Sequence, residues 1–133
     1  MSKCKLVVWV VNRERLYSVK KVNSELIKGS SEMLVLQLLS EKDLYGYEIT
    51  KNIMLLSDGM FQMKQGTLYP ILHSLEDNEY IVSYWEDSAS KRKRKYYHIT
   101  DQGRKQLEAK KNEWCSYVES VVAVLGELEW KKN

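Results

Sequence analysis

The sequence predicts a mainly α-helical protein with a small β-hairpin, and three observations support that fold class. Hydrophobic residues make up 44% and charged residues 29% of the 133 residues, the balance of an ordinary globular domain. Only one proline and six glycines interrupt the chain, so helix is expected to dominate over loop. Apolar residues recur at helical spacing in four segments, whereas two short stretches are rich in aromatic and β-branched residues.

The first two helices are predicted from apolar runs that follow capping residues. Ser30 and Ser31 are good N-caps for a helix through residues 33–39, which are apolar on nearly every face and therefore belong to the centre of a core. Asp43 is expected to cap the second helix, in which apolar residues recur to about Ser57.

A third helix is expected to begin near Thr67, as its N-cap, and to end at Asp77. That start places Pro70 at the third helical position. Backbone N–H groups of the first turn have no acceptor within the helix, so the absence of an N–H in proline costs no hydrogen bond there. The buried face of this helix is marked by an i, i+3, i+4, i+7 stripe of Leu68, Ile71, Leu72 and Leu75.

Two short strands are predicted next, over residues 80–85 and 96–100, because both stretches are aromatic and β-branched. Residues 86–95 between them are polar and charged. The sequence therefore predicts a two-stranded hairpin with a long tip.

The last helix is expected to begin after Thr100, its N-cap, and to run to about Glu129. Alternating steps of four and three residues give it the a/d seam of a coiled coil, formed by Leu107, Lys111, Trp114, Val118, Val121, Leu125 and Leu128. Such a seam at the end of a small domain favours a partner helix. We expect its apolar members to form a homodimer interface; the alternative is that the helix folds back on its own domain.

The N-terminal residues 1–22 differ from the rest in charge and pattern. They hold six cations against Glu14 alone, a local net charge of +5, which leaves −2 for the other 111 residues. The apolar run 6–11 is shorter than a secretory or membrane-spanning segment requires. We expect a poorly structured extension and no membrane partner, the alternative being an arm that touches a membrane or DNA.

Metal and catalytic chemistry is not indicated. Cys4 and Cys115 form no Cys-x-x-Cys pair, and His73 and His98 are isolated, so zinc-type spacing is absent. Two cysteines that lie far apart in the sequence do not suggest a disulfide framework, so we expect a reducing compartment, here the cytoplasm. No nucleophile elbow or phosphate loop is present, so we expect neither an enzyme nor a cofactor.

Three helices followed by a charged hairpin are the element order of a winged helix-turn-helix, whose third helix enters the major groove of DNA. At the start of that helix, N–H groups and polar side chains could meet phosphates and base edges. The expected DNA contacts there are Lys64, Gln65, Thr67, Tyr69 and His73. The alternative is that Thr67 only caps and Tyr69 only packs.

A second group of expected DNA contacts lies at the hairpin tip, where Lys91, Arg92, Lys93, Arg94 and Lys95 follow one another. A cationic run is usually a solvated loop, but a wing tip lies where the duplex backbone passes. We therefore expect phosphate contacts from all five side chains.

Three stretches resemble the PadR family of bacterial transcriptional regulators: Leu44–Ile49, Gln65–Leu72, and Arg94–Thr100 with Gly103 after it. The resemblance covers about residues 23–128. It implies a homodimer joined through the last helix and usually repression of nearby genes. It also implies DNA contact by Gln65, Thr67, Tyr69 and the wing cations. Residues 1–22 have no counterpart in the family pattern, and Lys111 places a charge inside the seam.

Some short-tailed members of the family resemble multidrug sensors that hold flat aromatic compounds against a tryptophan of the last helix. Trp114 matches that position, while plain packing between subunits is the alternative for a seam tryptophan.

The resulting expectation is a dimeric regulator that binds a near-palindromic stretch of double-stranded DNA. It divides the chain into the extension 1–22, a DNA-binding domain 23–100 and a dimerisation helix 101–133. The main alternative is a winged-helix module that binds protein rather than DNA. RNA binding is less favoured. It requires exposed aromatic side chains on a sheet face for base stacking, and the hairpin tyrosines meet that requirement only weakly.

Overall fold

The computed structural model describes residues 29–126, which form four helices and a three-stranded antiparallel sheet. In chain order the elements are α1 (Ser31–Glu41), β1 (Leu44–Tyr45), α2 (Gly46–Leu56), α3 (Gln65–Asp77), β2 (Ile81–Asp87), β3 (Lys93–Ile99) and α4 (Asp101–Leu125). The predicted fold class and element order are confirmed. The extension 1–22 and the seam residue Leu128 lie outside the described residues.

The sheet contains a third strand that was not predicted from the sequence. The two-residue strand β1 pairs with β3 through Leu44 opposite Tyr97 and Tyr45 opposite Tyr96, and the strand order is β1-β3-β2. The predicted two-stranded hairpin is therefore a three-stranded sheet. Two residues are too few to show an alternating pattern, so the sequence carried no signal for β1.

The start of α2 differs from the prediction because β1 precedes it. Tyr45, not Asp43, is the N-cap residue, and its backbone N–H donates to the Glu48 carboxylate at 3.3 Å. Asp43 lies outside the helix and contacts the sheet instead.

The start of α3 also corrects the prediction. The backbone N–H groups of Thr67 and Leu68 both donate to the Lys64 carbonyl at 3.0 Å, so Lys64 is the N-cap residue and Thr67 lies in the first turn. Pro70 is consequently the sixth helical residue and cannot donate to the carbonyl of Gly66. Gly66 is exposed, so its carbonyl remains accessible to solvent.

The core joins α1, α2, α3, the sheet and the first turns of α4. Its fully buried large side chains are Leu36, Leu39, Leu44, Ile49, Leu68, Leu72, Leu75, Ile81 and Ile99. Thr100 caps α4 as predicted, since its hydroxyl accepts the Gly103 N–H at 3.0 Å. A Cβ at Gly103 would lie 2.0 Å from the Tyr80 carbonyl oxygen, so only glycine allows α4 to approach the sheet this closely.

The last helix ends at Leu125, four residues before the predicted end, and Gly126 follows with a φ of 79°. A positive φ costs glycine little, so Gly126 allows the chain to leave the helix at this point.

Candidate nucleic-acid interface

The helix α3 buries one face and offers the other to solvent. Leu68, Leu72 and Leu75 are in the core. Four of the predicted DNA contacts are exposed on α3 or at its N-cap, namely Lys64, Thr67, Tyr69 and His73. The N–H groups of the first turn lie at the same end, where the helix carries a partial positive charge. This end of α3 can therefore accept an anion.

Gln65, the fifth predicted contact on α3, is half-buried and engaged within the protein. Its side-chain nitrogen donates to Thr50 Oγ1 at 2.8 Å and to the Gly46 carbonyl at 3.2 Å. A Cβ at Gly46 would lie 2.9 Å from Gln65 Oε1. Gln65 thus ties the start of α3 to α2. Base recognition by Gln65 stays a prediction, and donation to a base by its side-chain nitrogen would require one of these two hydrogen bonds to be exchanged.

The hairpin of β2 and β3, here called the wing, has a shorter tip than predicted. The strands extend to Asp87 and from Lys93, so only residues 88–92 form the loop. Lys91 and Arg92 lie in that loop, but the other three cations belong to β3. The pairing of β2 with β3 continues to this point, where Asp87 lies opposite Lys93 and Glu86 opposite Arg94.

The strand alternation divides the cations of β3 between the two faces of the wing. Lys93 and Lys95 share one face, and Arg94 occupies the other. The Arg94 guanidinium lies 4.5 Å from the centre of the Tyr45 ring, and Lys95 Nζ lies 5.8 Å from the centre of the Tyr97 ring. Within residues 29–126, none of the five cations from Lys91 to Lys95 forms an ion pair. Their charges remain available to phosphates.

A groove of about 460 Å³ lies between the start of α3 and the wing, and we call it the interface groove. It is lined by Tyr45, Gly46, Tyr47, Gln65, Tyr69, Trp85, Lys93, Arg94, Lys95 and Tyr97. Of the predicted DNA contacts, Gln65 and Tyr69 of α3 and the three cations of β3 line this groove, whereas Thr67, His73, Lys91 and Arg92 do not. Lys64 instead lines a neighbouring pocket of about 240 Å³ together with Tyr47 and Lys51.

Beside the groove, Tyr97 lies in the core between α3 and the wing. Burial, with the nearby Glu76 and Tyr69, raises the pKa of the Tyr97 phenol. Its hydroxyl therefore adds no negative charge to the groove at physiological pH.

On the opposite face of the wing, Asp43 joins all three strands. Its carboxylate accepts a hydrogen bond of 2.6 Å from the Tyr84 hydroxyl and lies 2.7 Å from His98 Nδ1. Burial alone raises the pKa of Asp43, but the contacts with Tyr84 and His98 outweigh it and hold that pKa below the ordinary value of 3.8. The hydrogen bond to Asp43 raises the pKa of Tyr84 to about 12. Local sequence patterns do not reveal this cluster, because its members lie far apart in the chain and meet only in the folded sheet.

The helix α4 is attached to its own domain by its first turns. Arg104 donates to the Ser40 carbonyl at 3.2 Å, and Lys110 Nζ lies 3.3 Å from the Glu32 carboxylate. Leu107, predicted for the dimer seam, is only 3% exposed and belongs to the core of its own subunit. The first turns of α4 therefore pack on their own domain, which is the alternative to a dimer seam that the sequence left open for this helix.

Beyond Lys110 the apolar side chains of α4 are more accessible. The predicted seam residues Trp114, Val118 and Val121 are half-buried, and Leu125 is exposed. The Trp114 and Tyr117 rings lie 5.9 Å apart between centres.

Other classes of site find no support in residues 29–126. No helix among them is long and apolar enough to cross a membrane, and no group of three or more potential ligands could hold a metal ion.

These elements define a winged helix-turn-helix protein in which α3 and the wing line one groove. A model of the transcriptional regulator PadR-like family matches residues 35–109, more than half of the chain. The chain therefore belongs to the PadR-like family of transcriptional regulators, a family of DNA-binding regulators and not an enzyme class.

Individual relatives agree with this assignment. An uncharacterized protein of Lysinibacillus sphaericus is 38% identical over 108 residues, which are 81% of this chain and 99% of that protein. A transcriptional regulator from Clostridium thermocellum has a similar structure, with 37% identity, a TM-score of 0.69 and coverage of 77% of this chain and 99% of that one. A PadR-like transcriptional regulator from Bacillus cereus matches at 33% identity and a TM-score of 0.66, with the same coverage.

Proposed function

We propose that the chain is a homodimeric, cytoplasmic repressor that binds a near-palindromic DNA operator. The observation that supports this proposal is the interface groove, in which Tyr69 of α3 and Lys95 of the wing line one surface. In winged helix-turn-helix proteins the third helix reads the major groove and the hairpin follows the backbone. The DNA-binding part corresponds to residues 23–100 and the dimerisation part to residues 101–133.

The wing and α3 make different kinds of contact with DNA in this proposal. Lys91, Arg92 and the three cations of β3 contact phosphates, which positions the protein on any duplex. Exposed Thr67, Tyr69 and His73 on α3 approach the base edges and phosphates of the major groove, where the sequence is read. Lys64 at the N-cap of α3 contacts the adjoining phosphate.

The dimer forms through the part of α4 that lies beyond Lys110. Trp114, Val118, Val121 and Leu125 contribute its apolar seam, whereas the predicted seam residue Leu128 lies outside the described residues. Two subunits related by a two-fold axis require two half-sites about one helical turn apart.

The test is selection of duplexes from a random pool with the purified protein, followed by sequencing. We expect a shared inverted repeat with that spacing. A pool that shows no enrichment, together with unchanged duplex binding after replacement of all five wing cations by alanine, would favour the protein-binding alternative. Repression is tested separately by placing the selected site between a promoter and a reporter gene.

A small aromatic effector is the second part of the proposal. The half-buried Trp114 with the Tyr117 ring beside it forms an aromatic surface on the proposed dimer helix. Planar aromatic dyes should quench tryptophan emission and release the selected duplex. Because the chain has four tryptophans, Trp114→Ala is the control, and equal quenching in that variant would contradict a site at Trp114.

A further inference from the structure

Trp85 is a large apolar side chain that the wing exposes to solvent. It is 63% exposed in β2, and its cross-strand partner is Lys95 of β3. A tryptophan that remains largely exposed beside a cation gains little from folding, so its surroundings indicate what else it contacts.

The strand alternation fixes the direction of Trp85. Ser83 shares its face of β2, and the Ser83 hydroxyl donates to the Glu76 carboxylate of α3 at 2.6 Å. That face is therefore turned toward α3. Trp85 lies one step further along the same face and reaches the interface groove, which Tyr69 lines from the other side.

The groove around Trp85 combines positive charge with aromatic surface. Lys93, Arg94 and Lys95 line it, and none of them forms an ion pair within the part of the chain that the structure describes. An occupant that suits this lining must present closely spaced negative charges and apolar surface between them. The sugar–phosphate backbone of DNA has both, because each deoxyribose lies between two phosphates.

We propose that Trp85 contacts a deoxyribose of the bound duplex directly, between the phosphates held by Lys93 and Lys95. This inference rests on the proposed DNA-binding function and adds an apolar contact that its cations do not supply. A phosphate contact releases counterions and therefore depends on salt, with a slope of about −0.9 in log affinity against log salt for each phosphate. An apolar contact releases none, so its loss should be the same at every salt concentration.

The experiment measures affinity for one duplex from the random-pool selection over a series of salt concentrations. Trp85→Ala should weaken binding by roughly tenfold, the effect of losing one well-packed aromatic at an interface, with an unchanged slope. Lys95→Ala should make the slope shallower by about 0.9. Val82→Ala is the matched control, because Val82 is an exposed apolar residue on the opposite face of the same strand, and it should bind like wild type.

Two results would overturn the inference while leaving the proposed function intact. Trp85→Ala could bind like wild type, or it could change the salt slope, which would mean that Trp85 only positions Lys95. If wild-type protein selects no duplex at all, the proposed function itself fails.

A second measurement does not depend on affinity. The duplex should protect wild-type emission from quenching by acrylamide, and Trp85→Phe should lose most of that protection. Equal protection in the two proteins would contradict a buried Trp85 in the complex.

Discussion

Asp43 Oδ1 lies 2.7 Å from His98 Nδ1, and this contact joins the residue before β1 to β3, the central strand of the sheet. The other oxygen of the same carboxylate accepts the Tyr84 hydroxyl from β2 at 2.6 Å. One short side chain thus holds both long strands beside the start of α2. Because the interface groove lies between the wing and the start of α3, the orientation of the wing decides the shape of the groove.

The first prediction concerns stability. Asp43→Asn should lower the free energy of unfolding by about 1–2 kcal/mol, because a charge-assisted pair of hydrogen bonds is replaced by weaker ones. The measurement is denaturant unfolding at equal protein concentration, since dimerisation would add to stability. Asp58→Asn is the control, because Asp58 is exposed and its left-handed backbone (φ 52°) suits asparagine.

The pH dependence of that contribution has a definite sign. The pKa of Asp43 lies below 3.8 in the folded protein, so its stabilisation is present above pH 3.8 and is lost as the pH falls through the folded value. The difference between wild type and Asp43→Asn should therefore shrink in acid. A difference that stays constant or grows below pH 3.8 would contradict this assignment.

The second prediction concerns the Tyr84 phenol, whose pKa is raised to about 12 chiefly by the hydrogen bond to Asp43. In Asp43→Asn this pKa should return toward the ordinary value of 10.0. Phenolate absorbance during alkaline titration measures the change, with Tyr84→Phe as the reference that removes this phenol. An identical titration in wild type and Asp43→Asn would show that the hydrogen bond is absent in solution.

The third prediction concerns the packing of α4. Gly103→Ala places a methyl group 2.0 Å from the Tyr80 carbonyl, and the forced backbone shift should destabilise the protein by about 3 kcal/mol. Thermal unfolding measures the loss. Gly66→Ala is the matched control, since a Cβ there meets nothing within 4 Å, and it should leave stability unchanged or slightly raised.

The fourth prediction concerns the dimer. Val121→Asp should raise the dimer dissociation constant by about 100-fold or more, because it buries an unpaired carboxylate in the proposed seam. Sedimentation equilibrium measures the constant. Ala123→Asp places the same charge at an exposed position away from the a/d seam and should leave the dimer intact. Equal dissociation constants for the two variants would contradict a dimer interface formed by α4.

The helices and their order could be predicted from the sequence because their signals are local. Thr100 caps α4 as expected, and Leu68, Leu72 and Leu75 bury the expected face of α3. Apolar spacing and capping residues report the structure of their own segment, so no knowledge of distant residues was needed.

The start of α3 was misplaced by a local choice between Lys64 and Thr67, but other errors arose where distant residues decide the outcome. The strand β1 exists only because β3 lies beside it. Lys93 and Arg94 were expected at a loop tip, but the pairing of β3 with β2 continues through them, opposite Asp87 and Glu86. Leu107 follows the seam spacing, yet it is buried in its own subunit because Gly103 lets α4 approach the sheet.

Part of the candidate site was hidden for the same reason. Tyr69 and the cations could be proposed from local chemistry, whereas Trp85 was predicted only as part of a strand. The register that sets Trp85 opposite Lys95, on the face turned toward α3, is a tertiary property. If both predicted strands had been extended, with Glu86 opposite Arg94 and Asp87 opposite Lys93, the same register would have placed Trp85 opposite Lys95.

The central claim is that the start of α3 and the wing contact one duplex from the same side. A photoreactive amino acid placed at position 69, and in a second preparation at position 95, tests it most directly. We predict that both cross-link to the selected duplex within the same half-site, while a probe at position 105 on α4 does not. Cross-linking from only one of positions 69 and 95, or from neither, would contradict the account.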